Sequence, residues 1–155
     1  MVIKTLNLDN SDSITKFLLS EDSFTIRDIA SSKKIINDVN SLLKKHLTHK
    51  ENNETFVYAL FDDEEIKLAV ILDNNGKFLN FTPSQNLTVA EGRAFMREFS
   101  KLFKNKGFEY FTIESKESRL NFLNDIGFKS SKFIQKNDIN ESNYYYFFVL
   151  KYYLN

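Results

Sequence analysis

The stretch Phe81-Thr82-Pro83-Ser84-Gln85-Asn86-Leu87-Thr88-Val89-Ala90-Glu91-Gly92-Arg93 decides the fold. An extended segment ends at Phe81-Thr82-Pro83, and Thr88-Val89-Ala90-Glu91 has the spacing of a capping box, so a helix begins a few residues after a strand stops. Phe95, Met96, Phe99, Leu102 and Phe103 then recur at intervals of three and four, which predicts a helix running to a stop near Lys106-Gly107.

Upstream, the apolar period is two. Phe56 to Phe61, Ile66 to Leu72 and Lys77 to Thr82 read as three successive antiparallel strands, joined at Asp62-Asp63-Glu64-Glu65 and Asp73-Asn74-Asn75-Gly76. Asn75-Gly76 accepts the positive φ angles that such a hairpin demands. Nearer the start, Val2 to Leu8 alternates as an opening strand, and Asp9 to Asp12 supplies cap residues for a helix carrying Ile14, Phe17 and Leu18. Ser31 or Ser32 caps a second helix whose Ile35, Ile36, Val39, Leu42, Leu43 and Leu47 share a face, and Thr48 to Glu54 is loop.

Downstream, Phe108 to Glu114 reads as a strand, Ser118 to Ile126 as a helix stopped by Gly127, and Phe128 to Gln135 and Tyr144 to Leu154 as two last strands. Lys136 to Asn143 is a polar loop. Because a helix separates the strands ending at Thr82 and Glu114, those two are expected to run parallel by a right-handed crossover, in a mixed, twisted sheet. With 155 residues, no linker and no internal repeat, one domain over 1–155 is expected.

Apolar residues make up 42% of the chain and aromatic residues 15%, with 16 Phe and 7 Tyr, enough to fill one core with rings. Twenty-one basic and twenty-one acidic side chains cancel, which removes the overall positive field that a nonspecific nucleic-acid binder uses. Cysteine is absent, and with it disulfides, thiolate metal sites and cysteine nucleophiles. His46 and His49 lie three apart at a helix end, but two ligands make no metal site. No segment approaches about 18 consecutive apolar residues, and the N-terminus lacks a leader's apolar run, so a soluble cytoplasmic protein is expected, with no membrane contact.

Element order and two short anchors resemble the GNAT (Gcn5-related N-acetyltransferase) superfamily. Phe81-Thr82-Pro83 is similar to the hydrophobic-x-Pro ending of that family's fourth strand, and Phe122 to Phe128 resembles its late helix, which usually ends Leu-Tyr-Glu-Lys-x-Gly-Phe. The resemblance implies an α/β fold: a mostly antiparallel twisted sheet of about seven strands with a splayed parallel pair, flanked by about four helices. It also implies acetyl-CoA as cofactor, held at a pyrophosphate loop where backbone amides meet a helix N-terminus.

The family's Arg/Gln-x-x-Gly-x-Gly/Ala signature falls on Leu87-Thr88-Val89-Ala90-Glu91-Gly92, with Ala90 and Gly92 at the small positions. A second register, Gln85 to Ala90, recovers the first residue and the last. Arg93 is placed to reach a phosphate. Leu87 replaces the usual Arg or Gln in the first register, and Glu91 sets a negative charge beside the expected anion. A capping box also uses the amides of Thr88 and Glu91, donors that a pyrophosphate would need.

Transfer of an acyl group from a thioester to an amine requires a base for the amine, donors for the oxyanion and an acid for the leaving thiolate. In a GNAT-like site, the backbone around Phe81 and Thr82 contacts the thioester carbonyl where the parallel strands splay. The family's usual acid, a late-helix Tyr, is Leu123 here. Glu114, at the end of its strand, is the candidate base, and Tyr145, among Tyr144-Tyr145-Tyr146, the candidate phenol. The resemblance implies a primary amine on a small molecule or a protein as acceptor. A noncatalytic GNAT-fold module that has lost the acid and part of the loop is the alternative, and a homodimer through the aromatic C-terminal strand fits either reading.

Overall fold

The structure, a computed structural model, describes residues 1–5, 11–21, 23–25, 55–137 and 144–154. The expected helix from Ser31 to Leu47 and both histidines lie outside the described residues. The elements are β1 (Val2–Thr5), α1 (Ser11–Ser20), β2 (Thr55–Asp62), β3 (Glu65–Asp73), β4 (Phe78–Pro83), α2 (Val89–Phe103), β5 (Tyr110–Ser115), α3 (Leu120–Asp125), β6 (Lys129–Asn137) and β7 (Tyr144–Tyr153).

β1 to β4 form an antiparallel sheet in chain order, and β5, β7 and β6 form a second one with β7 in the middle. The two meet through one parallel bridge, Lys77 with Thr112. The Asn-Gly turn makes this junction: Gly76 has φ 84° and its carbonyl accepts from the Thr112 amide at 2.8 Å. A Cβ on Gly76 would stand 3.0 Å from the carbonyl oxygen of Tyr110, so a side chain there would push β5 away.

Alternation on the strands sorts side chains into two layers. One face of the first sheet presents Leu68, Val70, Leu72, Phe78 and Phe81 to Phe95, Met96, Phe99 and Phe103 of α2. The other carries Val57, Ala59, Ala69 and Ile71, packed with Ile14 and Leu18 of α1. The β3–β4 register skips Leu79, a bulge that turns Phe78 and Phe81 to the same face although they are three residues apart. Ring pairs then run through the core: Phe78 meets Phe81 edge-on at 5.5 Å, Phe81 meets Phe128 at 6.2 Å, and Phe95 stacks on Phe99 at 5.0 Å.

β7 is paired along both edges, to β5 and to β6, so its backbone offers no free edge to a second copy. Its aromatic run is core material in part: Phe147 and Leu150 are buried, and Phe148 and Tyr152 pack against the main cluster. β6 extends to Asn137, two residues beyond the strand read from the sequence, because Lys136 and Asn137 pair with Tyr145 and Tyr144. The strand expected from Phe108 begins at Tyr110, while the Phe108 ring packs on Phe103 and Phe111.

Candidate functional site

β4 and β5 start side by side at Lys77 and Thr112 and then part. Between their ends lies a short piece of the N-terminal region, Ser23 to Thr25. The Phe24 amide donates to the Phe81 carbonyl at 2.8 Å, the Lys116 amide donates to the Phe24 carbonyl at 3.4 Å, and Thr25 bridges Ser115 antiparallel. The Phe81 amide donates to the Ser23 hydroxyl at 3.4 Å, and the Lys116 ammonium donates to the Ser23 carbonyl at 3.3 Å. The parallel pair is therefore splayed, and the chain's own backbone bridges the opening.

Beside this bridge a cavity of about 440 Å3 stays open. Pro83, Ser84, Gln85 and Leu87 wall it from the loop before α2, Arg119 and Phe122 from the α3 side, and Ser20, Glu21 and Phe24 from the end of α1 and the segment beyond. Its size falls in the usual range of about 300–1,000 Å3 for small-ligand sites. Phe24 is buried, meets Phe122 edge-on at 5.5 Å and Phe81 at 5.8 Å, and carries the Arg119 guanidinium 4.9 Å above its ring. A second cavity of about 470 Å3 shares Glu21, Ser84 and Gln85 and continues past Lys16, Glu64 and Glu65.

Leu87, which lines the cavity, immediately precedes the N-cap of α2, and the cap is the one its sequence predicts. The Thr88 side chain accepts from the Glu91 amide at 3.1 Å and the Glu91 carboxylate accepts from the Thr88 amide at 3.0 Å. Among the described residues the amides of Val89 and Ala90 make no hydrogen bond, so the capping box leaves two donors at the positive end of the helix. Glu91 is held below the ordinary carboxylate range, first by the Thr88 amide, against desolvation, with smaller help from the Thr88 hydroxyl and Lys67. Lys67 is a bulged residue of β3 with its ammonium 3.7 Å from Glu91 and 3.2 Å from the Asn86 carbonyl, so the charge of Glu91 already has a counter-ion.

The other residues singled out in the sequence take separate places. Leu87 of the first register and Gln85 of the second both line the cavity. Gly92 sits where α2 crosses the end of α3: a Cβ there would lie 2.7 Å from Cγ2 of Ile126. Arg93 donates through Nε to the Asp125 carbonyl at 2.6 Å, a contact with the closing turn of α3. Thr82 is buried and donates to Oδ1 of Asn80 at 2.5 Å. Glu114 is not among the cavity-lining residues, and its carboxylate accepts from Lys77 at 2.5 Å across the splay. Tyr145 pairs with Lys136 in the β6–β7 ladder, and its side chain lies outside the described residues. Leu123, at the position of the family's usual acid, is fully buried in the core.

Sequence reading missed Phe24, Glu21 and Arg119. Phe24 stands in a stretch where the apolar pattern breaks, and only contacts 57 and more residues away in the chain reveal its place. Among the described residues no group of three or more His, Asp or Glu could hold a metal, and no helix is long and apolar enough to cross a membrane.

No protein-family model matches the chain, and no curated protein matches it either. Solved structures do. A spermidine N-acetyltransferase chimera from Vibrio cholerae superposes with a TM-score of 0.73 at 9% identity, covering 99% of this chain and 95% of that one. A microcin C7 self-immunity acetyltransferase in complex with acetyl-CoA and AMP gives 0.69 at 12% identity, over 97% and 92%. A ribosomal α-N-protein acetyltransferase in complex with coenzyme A gives 0.75 at 7% identity, over 98% and 93%. The fold of this chain is that of the GNAT acetyltransferases, a mixed α/β architecture with antiparallel sheets.

Proposed function

We propose that this protein is a GNAT-type N-acyltransferase that takes an acetyl group from acetyl-CoA and passes it to a primary amine of a small molecule or a protein. The observation that carries this reading is the coincidence of three features: a parallel strand pair that parts after Lys77 and Thr112, a cavity of about 440 Å3 walled by the end of β4, and the cap of α2 one residue beyond the Leu87 wall of that cavity. Structural neighbours in which acetyl-CoA or coenzyme A is bound support it.

The residues present fit such a cofactor. The amides of Val89 and Ala90 would hold phosphate oxygens, the Arg119 guanidinium supplies a cation inside the cavity, and Pro83, Leu87 and Phe122 give the arm an apolar wall. When bound, the cofactor supplies the activated acyl carbon. Transfer exchanges a carbon–sulfur bond for a carbon–nitrogen bond, so the site must remove a proton from the amine and return one to sulfur. Glu21 is the carboxylate that lines the cavity, and Glu114 lies on the neighbouring strand end, tied to Lys77. Tyr145 remains our candidate for the returning proton. A cytoplasmic location and a homodimer belong to the same proposal, the dimer meeting through a face because β7 has no free edge.

One observation favours a second reading, a noncatalytic module: the backbone groups of Phe81 that would meet a thioester are already bonded to Ser23 and Phe24. Thermal-shift titration with acetyl-CoA separates the two. A ligand that binds the folded state at 100 times its Kd raises stability by about 2.7 kcal/mol. A melting temperature that stays put up to millimolar acetyl-CoA removes the enzyme reading and leaves the module.

A further inference from the structure

We propose that Phe24 sets the length of the acyl group that the site accepts, an inference that rests on the acyl-CoA reading above. The same cavity is walled by Pro83 at the end of β4, by Leu87 just before the α2 cap, and by Phe24. An acyl group brought to the end of β4 beside Pro83 meets the ring of Phe24, which walls the same cavity and stands 5.8 Å from the Phe81 ring.

That ring is a fixed wall. Its backbone is bonded to β4 through the Phe81 carbonyl and to the segment after β5 through the Lys116 amide. Its faces and edges are occupied: Phe122 meets it edge-on, Arg119 lies over it, and only 6% of the residue is exposed. A side chain held from both strands and packed on three sides cannot swing aside without breaking those contacts. An acetyl group ends short of such a wall, while each further methylene must displace it. One methylene against an apolar wall is worth about 10–200-fold, which sets the scale for the Phe24 ring.

The test is the relative affinity for acetyl-, butyryl- and hexanoyl-CoA, measured by calorimetry on wild type, Phe24→Leu and Phe24→Ala. Wild type is expected to bind acetyl-CoA at least about tenfold tighter than butyryl-CoA, Phe24→Ala to reduce that ratio by about tenfold or more, and Phe24→Leu to fall between. Circular dichroism establishes that each variant is folded; if Phe24→Ala is not, the Phe24→Leu ratio decides. An unchanged ratio in the folded variants overturns the inference and leaves the acyl-CoA reading standing. Wild type that binds none of the three overturns both.

Discussion

The main-chain amide of Phe24 donates to the carbonyl of Phe81 at 2.8 Å, across a gap that two diverging strands leave open. This bond makes Ser23 to Thr25 a short strand substitute between β4 and β5, and it joins the two sheets at the end opposite to the Lys77–Thr112 bridge. It also sets the buried Phe24 ring into the wall of the cavity.

Glu21 lines the cavity, and Glu114 on the neighbouring strand end is engaged by Lys77. With acetyl-CoA and an accepted amine, Glu21→Gln is expected to lower kcat by about 10²–10⁴-fold, the usual contribution of a general base. Glu114→Gln is expected to change stability by less than about 1 kcal/mol, since both partners of its ion pair are partly exposed, at 42% and 23%. Steady-state rates and urea titrations of both variants check the pair of expectations. Full activity in Glu21→Gln with loss in Glu114→Gln would assign the base to Glu114 instead.

Gly92 is required by packing. Ala is ordinarily a better helix former than Gly, but at Gly92, the fourth residue of α2, the Cβ would stand 2.7 Å from Cγ2 of Ile126, a branched side chain at the buried end of α3. Overpacking of this kind costs about 1–3 kcal/mol, so Gly92→Ala is expected to be destabilising. Ile126→Leu removes that Cγ2, and the double variant should recover part of the loss. Additive losses in a denaturant-melt cycle would count against the contact.

The Glu91 carboxylate has its pKa lowered in the folded state from an ordinary value of 4.5, mainly by the Thr88 amide. A depressed folded value means stability that is present above the unfolded pKa and lost as pH falls through the folded one. Glu91→Gln should therefore be less stable than wild type at neutral pH, with the gap closing as pH falls below 4.5 and through the lowered folded value. Melting temperatures of both proteins between pH 7 and pH 3 test this, and a gap that widens on acidification contradicts it.

Asn80 and Thr82 are both fully buried, and the Asn80 amide nitrogen has no partner among the described residues although its oxygen accepts from Thr82. Thr82→Val alone leaves two unsatisfied atoms on Asn80 and is expected to cost about 1–3 kcal/mol. Asn80→Leu combined with Thr82→Val removes every buried polar atom of the pair, and should lie near wild type or above it. Chemical denaturation of the three proteins decides. A double variant worse than the single one would show that the amide has a partner with a role of its own.

What the chain determined by itself is local. The capping box at Thr88 and Glu91, the turn at Asn75-Gly76 and the periods of two and of three to four all depend on residues within a turn or a hairpin of one another. Such signals survive in a single sequence because the groups that satisfy them are neighbours. The order of elements, and with it the GNAT fold, followed from them. Tertiary structure alone decided the site. That Phe24 lies between β4 and β5, that Gly92 touches Ile126, that Arg93 serves the end of α3 and that Lys77 holds Glu114 are contacts between residues more than 30 positions apart in the chain. Periodicity says which face a side chain takes and nothing of what the opposite face will bring to it, so the cavity and its walls existed only once the sheets had packed.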